Sequence, residues 1–134
     1  MSNWLGLAHA GLFVQDLERS RQFYVDKLGF EKVWECAVDE PDGSVTQVMF
    51  LQNGSLMLEV IRPERVRERA DGHFDHVALR VQNIEKLQKQ LEAEGIVFES
   101  PAPIYKAQVF PRGSKWLMFR GPDGERLELT EVLE

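Results

Sequence analysis

The sequence predicts an α+β protein of two paired βαβββ modules, whose strands form a curved sheet around a common cavity. Three observations predict it. The segment LAHAGLFVQDLERSRQFYVDKLGF (residues 7–30) lies over FDHVALRVQNIEKLQKQLEAEGI (residues 74–96), and MFLQNGSLMLEV (49–60) lies over MFRGPDGERLEL (118–129) without a gap. Each half alternates strand-period and helix-period patterns in the same order. A His opens a strand-like run and a Glu closes one in both halves: His9 with Glu59, then His76 with Glu128. The two His are 67 residues apart and the two Glu 69, the self-similarity expected of a duplicated unit.

Within the first half, residues 8–14 alternate, with Ala8, Ala10, Leu12 and Val14 on one face and His9, Gly11 and Phe13 on the other. Asp16 suits the N-cap of a helix running to about Leu28, and Gly29 ends it. Leu17, Phe23, Tyr24 and Leu28 supply its apolar stripe. Strands follow over about 31–38, 45–51 and 55–61, joined by the hairpin signals PDGS and QNGS. The second half starts a strand over 74–81, then a helix over 84–94 capped by Asn83 and ended by Gly95. Its further strands are expected near 96–100, 115–120 and 126–132. The proline-containing stretch 101–113 reads as irregular, a loop able to close over a ligand. The organisation is thus one domain over 1–134, with module 1 at about 6–61, a linker at 62–72 and module 2 at about 73–132.

A chain of 134 residues can bury one core, and 43% apolar residues is ordinary for a globular protein. No run approaches a membrane span and the N-terminus lacks a secretory pattern, so a cytoplasmic location and no membrane partner are expected. The single cysteine, Cys36, cannot form an internal disulfide. The net charge of −6 argues against a nucleic-acid partner. The locally basic stretch from Arg62 to Gly72 reads as a solvated linker or short helical turn, with an anion site the alternative, and Trp4 as an interface or tail residue.

Strand alternation turns the repeated pairs into a candidate site. Leu56, Leu58 and Val60 form one face and Met57, Glu59 and Ile61 the other; Val77, Leu79 and Val81 oppose His76, Ala78 and Arg80; Leu127 and Leu129 oppose Arg126, Glu128 and Thr130. Each candidate ligand lies away from the cleaner apolar stripe. A lone strand His or Glu is usually structural; the joint pattern points to one divalent metal ion held by His9, Glu59, His76 and Glu128. Two imidazoles and two carboxylates suit Zn, Ni, Co, Mn or Fe(II). His73 falls in the other strand phase from His76 and reads as surface or cavity rim. Phe13, Met57, Trp116 and Met118 are candidate walls of a substrate cavity, with core packing the competing reading. Arg80 is a candidate substrate contact for an anionic group.

The stretch HAGLFVQDLERSRQFYVDKLGF (9–30), with LEVI (58–61), DHVALRV (75–81) and GPDGERLELTE (121–131), resembles the vicinal oxygen chelate superfamily, and within it the glyoxalase I branch. The resemblance spans nearly the whole chain. It implies paired βαβββ modules, a homodimer, and a metal site whose His-Glu-His-Glu set is that of a glyoxalase I, a lactoylglutathione lyase. It further implies that His9 and Glu59 of one chain can share a metal with His76 and Glu128 of another. The fosfomycin-resistance and ring-cleaving dioxygenase branches use two His and one Glu, and the bleomycin-binding branch lacks the ligands. A non-catalytic binding or resistance protein and a ring-cleaving dioxygenase are the alternative readings. Three polar anchors for glutathione in that branch are replaced here by Phe13, Pro63 and Gly72. The implied activity is that of a lyase or isomerase moving a proton beside a chelated carbonyl of a small-molecule substrate, with Glu128 as base and Glu59 assisting.

Overall fold

The computed structural model describes residues 3, 5, 7–66, 71–72 and 75–134. The expectations for Trp4, His73 and Phe74 lie outside the described residues. The chain divides into two compact units, residues 1–68 and 69–134.

Unit 1 runs β1 (Ala10–Phe13), α1 (Leu17–Arg21), β2 (Glu31–Asp39), β3 (Val45–Asn53) and β4 (Leu56–Arg62). Its sheet has the order β1-β4-β3-β2, with β1 parallel to β4 and the other pairs antiparallel. Asp16 caps α1 as expected, its carboxylate accepting from the Arg19 N–H at 3.0 Å. The helix continues through Gln22–Lys27 with π geometry, its last N–H at Leu28 reaching back to the Phe23 carbonyl. Gly29 then turns the chain at φ +81°, a conformation that would strain a residue with a Cβ. Tyr24, Leu51, Leu58 and Val60 are fully buried, so the helix and the Leu58 face of β4 make the core. Each such side chain contributes about 1.5–3 kcal/mol.

Unit 2 repeats the plan with β5 (Val77–Arg80), α2 (Ile84–Ala93), β6 (Ile104–Lys106), β7 (Ser114–Arg120) and β8 (Arg126–Val132). Its order is β5-β8-β7-β6, again with the first strand parallel to the last. Both units are therefore βαβββ, and the fold is α+β. Ile84, Leu117, Phe119, Leu127 and Leu129 fill the second core.

Unit 2 departs from the sequence expectation in four places. Asn83 does not cap α2 through its side chain; it takes φ +55°. The Glu131 carboxylate accepts from the Asn83 and Ile84 N–H groups instead, at 3.2 and 3.0 Å. A negative charge from β8 thus serves the helix N-terminus. The strand expected at 96–100 reduces to one bridge, Phe98 to Phe119, with the Glu99 N–H donating to the Met118 carbonyl. Pro101 and Pro103 follow at once and cannot donate to a ladder. The third strand forms later, as β6, inside the stretch expected to be irregular. The described strand that opens the unit begins at Val77, leaving His76 just before it.

The fourth departure is a register change. The β3–β4 pairing sets Phe50 opposite Glu59, whereas the β7–β8 pairing sets Met118 opposite Glu128. The structural equivalent of Phe50 is therefore Met118 and not Phe119, so the ungapped overlay fails by one residue before the turn. The turns differ: β3 and β4 pair up to Asn53 and Leu56, while β7 and β8 stop at Arg120 and Arg126. Because strand side chains have a period of two, one residue decides the face. The choice that prevails puts Phe119 into the core, against Phe98 at a ring distance of 5.4 Å.

Candidate metal centre

Unit 1 assembles its pair from neighbouring parallel strands. Register places Gly11 beside Glu59. His9 precedes Gly11 by two residues, just before β1 begins. His9 Nε2 lies 3.4 Å from Glu59 Oε1. Gly11 leaves the space beside the carboxylate clear, since a Cβ there would come to 3.5 Å from Glu59 Oε1. The Phe50 ring meets the His9 ring edge-to-face at 5.5 Å.

Unit 2 repeats this construction. Ala78 stands beside Glu128, His76 again precedes it by two, and His76 Nε2 lies 3.8 Å from Glu128 Oε1. Burial pushes the Glu128 carboxyl up, with His76 and Arg126 acting in the opposite direction. One feature has no counterpart among the described residues of unit 1. His76 Nδ1 is 2.8 Å from Asp75 Oδ2, and Arg126 Nη1 donates to the same oxygen at 2.5 Å. His76 and then Arg126 hold the Asp75 carboxyl below its usual range. Arg126 donates to that same Asp75 oxygen, so the oxygen acts as the acceptor and Nδ1 as the donor, leaving Nε2 to face Glu128.

The donors fit a divalent ion. Nitrogen and oxygen ligands each about 2.0–2.2 Å from one ion can be at most about 4.4 Å apart, and both pairs, at 3.4 and 3.8 Å, fall within that span. An imidazole nitrogen and a carboxylate oxygen at such a separation are a donor set that a dication could bridge. Among the described residues no three His, Cys, Asp or Glu side chains form a group. What the structure brings together is two pairs, one in each unit.

The candidate cavity residues share the ligand faces. Phe13, 47% exposed, and Met57, half-buried, lie on the Glu59 face. Phe13, Val48, Glu59 and Ile61 line a cleft of about 810 Å³ within unit 1. Trp116 and Met118, both half-buried, lie on the Glu128 face through their pairing with Thr130 and Glu128. Arg80 is exposed, with its guanidinium 3.6 Å from Glu134. Sequence reasoning missed Phe50, Asp75 and Arg126 as neighbours of the pairs. Asp75 adjoins His76, and adjacent residues of a strand face opposite ways. It reaches the imidazole because residues 75 and 76 precede the strand. Arg126 carried a signal: it shares the Glu128 face.

The chain belongs to the Glyoxalase/Bleomycin resistance protein/Dioxygenase superfamily, whose model matches residues 6–129. It is 32% identical over 127 residues to the uncharacterized protein YwkD of Bacillus subtilis (strain 168), covering 92% of this chain and 94% of that one. A glyoxalase family protein from Enterococcus faecalis is similar in structure at a TM-score of 0.72 and 28% identity, over 96% of this chain and 98% of that one. A glutamate-to-glutamine mutant of the fosfomycin resistance protein FosX from Listeria monocytogenes, complexed with Mn(II) and 1S,2S-dihydroxypropylphosphonic acid, shares the fold. Its TM-score is 0.66 at 19% identity, over 94% of this chain and 91% of that one. No helix among the described residues is long and apolar enough to cross a membrane.

Proposed function

We propose that the protein is a divalent-metal enzyme of the glyoxalase type, a lyase or isomerase that moves a proton beside the carbonyl of a small substrate. His9, Glu59, His76 and Glu128 hold the ion. The observation that carries this reading is the repeated pair: the same His–Glu juxtaposition, at the same strand register, in both units. The Mn(II) of the Listeria FosX complex supports a divalent ion in this fold. When bound, the ion supplies Lewis acidity that acidifies the C–H next to a chelated carbonyl. Glu128 takes that proton on a carboxylate oxygen and returns it to the neighbouring carbon, with Glu59 assisting from the other side. Phe13, Met57, Trp116 and Met118 form apolar walls that exclude water.

The working form in this reading is a homodimer, with His9 and Glu59 of one subunit completed by the partner's His76 and the partner's Glu128. Trp34 at 64%, Phe13 at 47% and Val38 at 42% exposure crowd the Glu59 face with uncovered apolar surface. Light scattering at micromolar protein, alongside elemental analysis of the purified protein, checks this. One bound divalent ion per subunit in a dimer is expected. Metal-bound monomer would remove the shared site, and metal-free protein unable to take up any of these ions would remove the metal reading.

Phe13 and Pro63 stand where the glutathione-using branch places polar groups, and both line the cleft beside Glu59. An apolar wall cannot replace the hydrogen bonds of a charged peptide-like thiol. Turnover of the methylglyoxal–glutathione adduct should be weak or absent, and exceeded by turnover of another thiol adduct or of a small hydroxycarbonyl. Comparison with an authentic glyoxalase I in the same assay decides it; equal rates would show that these substitutions do not govern the cosubstrate.

A further inference from the structure

The two histidines are held differently, and the difference points to a division of labour between the units. His9 has a ring contact with Phe50 and the carboxylate of Glu59 beside it. His76 has Glu128 beside it at 3.8 Å, with Met118 at the register position of Phe50, and adds a chain of charges reached from its Nδ1. Its Nδ1 donates to Asp75 Oδ2 at 2.8 Å, and Arg126 Nη1 donates to that oxygen at 2.5 Å. Arg126 Nη2 lies 3.7 Å from Glu99, and Arg120 reaches Glu99 at 4.0 Å and Asp71 at 2.8 Å. Asp75 Oδ2 thus meets both the imidazole and the Arg126 guanidinium. Arg126 sits two residues before Glu128 on the same strand face, so one strand sets both the carboxylate ligand and the residue that steadies the histidine. Ala8, the position matching Asp75 in the repeat, has no carboxylate to do this for His9.

We infer that Asp75, clamped by Arg126, is a positioning residue that locks His76 as the Nδ1–H tautomer and makes unit 2 the anchoring half of the metal site. It touches neither substrate nor ion. A carboxylate behind an imidazole fixes the ring's orientation and raises its basicity at the other nitrogen, and loss of such a partner typically costs about 10–100-fold in metal affinity. The inference rests on the four residues acting as metal ligands, but its first consequence concerns the metal-free protein.

The test uses Asp75→Asn and Arg126→Gln in the full-length protein. Long-range ¹H–¹⁵N spectra of the metal-free protein should show His76 as the Nδ1–H tautomer. In Asp75→Asn that preference should be lost while His9 is unchanged. Calorimetric titration with Zn(II) or Mn(II) should show affinity falling about 10–100-fold in Asp75→Asn and less in Arg126→Gln. Placing a carboxylate at the matching position of unit 1, Ala8→Asp, should leave His76 untouched. A wild-type His76 in the Nε2–H form, or Asp75→Asn binding metal as tightly as wild type, would overturn the inference. Wild-type protein that binds no metal yet shows the Nδ1–H tautomer would overturn the metal reading while sparing the positioning contact.

Discussion

Glu128→Gln should leave the fold intact, retain part of the metal and lose proton transfer, whereas His9→Ala should lose metal and activity together. The amide of Gln still offers an oxygen to a dication but accepts no proton at neutral pH. Removing a positioned general base costs about 10²–10⁴ in rate. In the proposed reading Glu128 is the base, and it stands beside His76 with Nε2 to Oε1 at 3.8 Å. In that reading His9 serves only as a metal ligand, so its removal acts through the ion. Elemental analysis, circular dichroism and kcat measured on the same preparations separate the cases. Glu128→Gln with undiminished kcat would assign the base elsewhere, and fully metallated His9→Ala would remove His9 from the ligand set.

Phe119→Ala should destabilise the protein by about 3–5 kcal/mol. Phe119 is fully buried and packs edge-on to Phe98, with Leu127 opposite it on β8. Truncation leaves a cavity in a small core. Met118→Ala, one residue earlier and on the opposite, half-buried face, should cost well under half as much and fall mainly on function. Urea unfolding of both variants measures the difference. Comparable losses at the two positions would contradict the register in which Met118, and not Phe119, faces Glu128.

That register marks where linear reading stopped. The overlay of Met49–Val60 on Met118–Leu129 matched residue types, and both strands carry a Met-Phe pair. Nothing in the linear pattern reveals that the second turn holds its strands apart for longer. The shift follows from which aromatic fits the unit 2 core, a question of volume and neighbours. The Asn83 cap failed for a related reason. A short polar residue before a helix is a local signal, and Glu131, far along the chain, supplied the charge.

The duplicated βαβββ plan, the apolar face of each sheet and the two repeated His and Glu positions were legible in the linear pattern. Those depend on periodicity and on repetition, which are local or nearly so. Strand alternation alone put Glu59 and Glu128 on the faces opposite Leu58 and Leu127, both of which are buried. Only the tertiary structure decided which strands neighbour one another, and hence that each His stands within 4 Å of its Glu. It also decided that Asp75 and Arg126 stand behind His76 and that Phe50 stands against His9. These contacts join residues far apart in the chain, or break strand alternation just outside a strand, so they arise from packing and register that no linear pattern encodes.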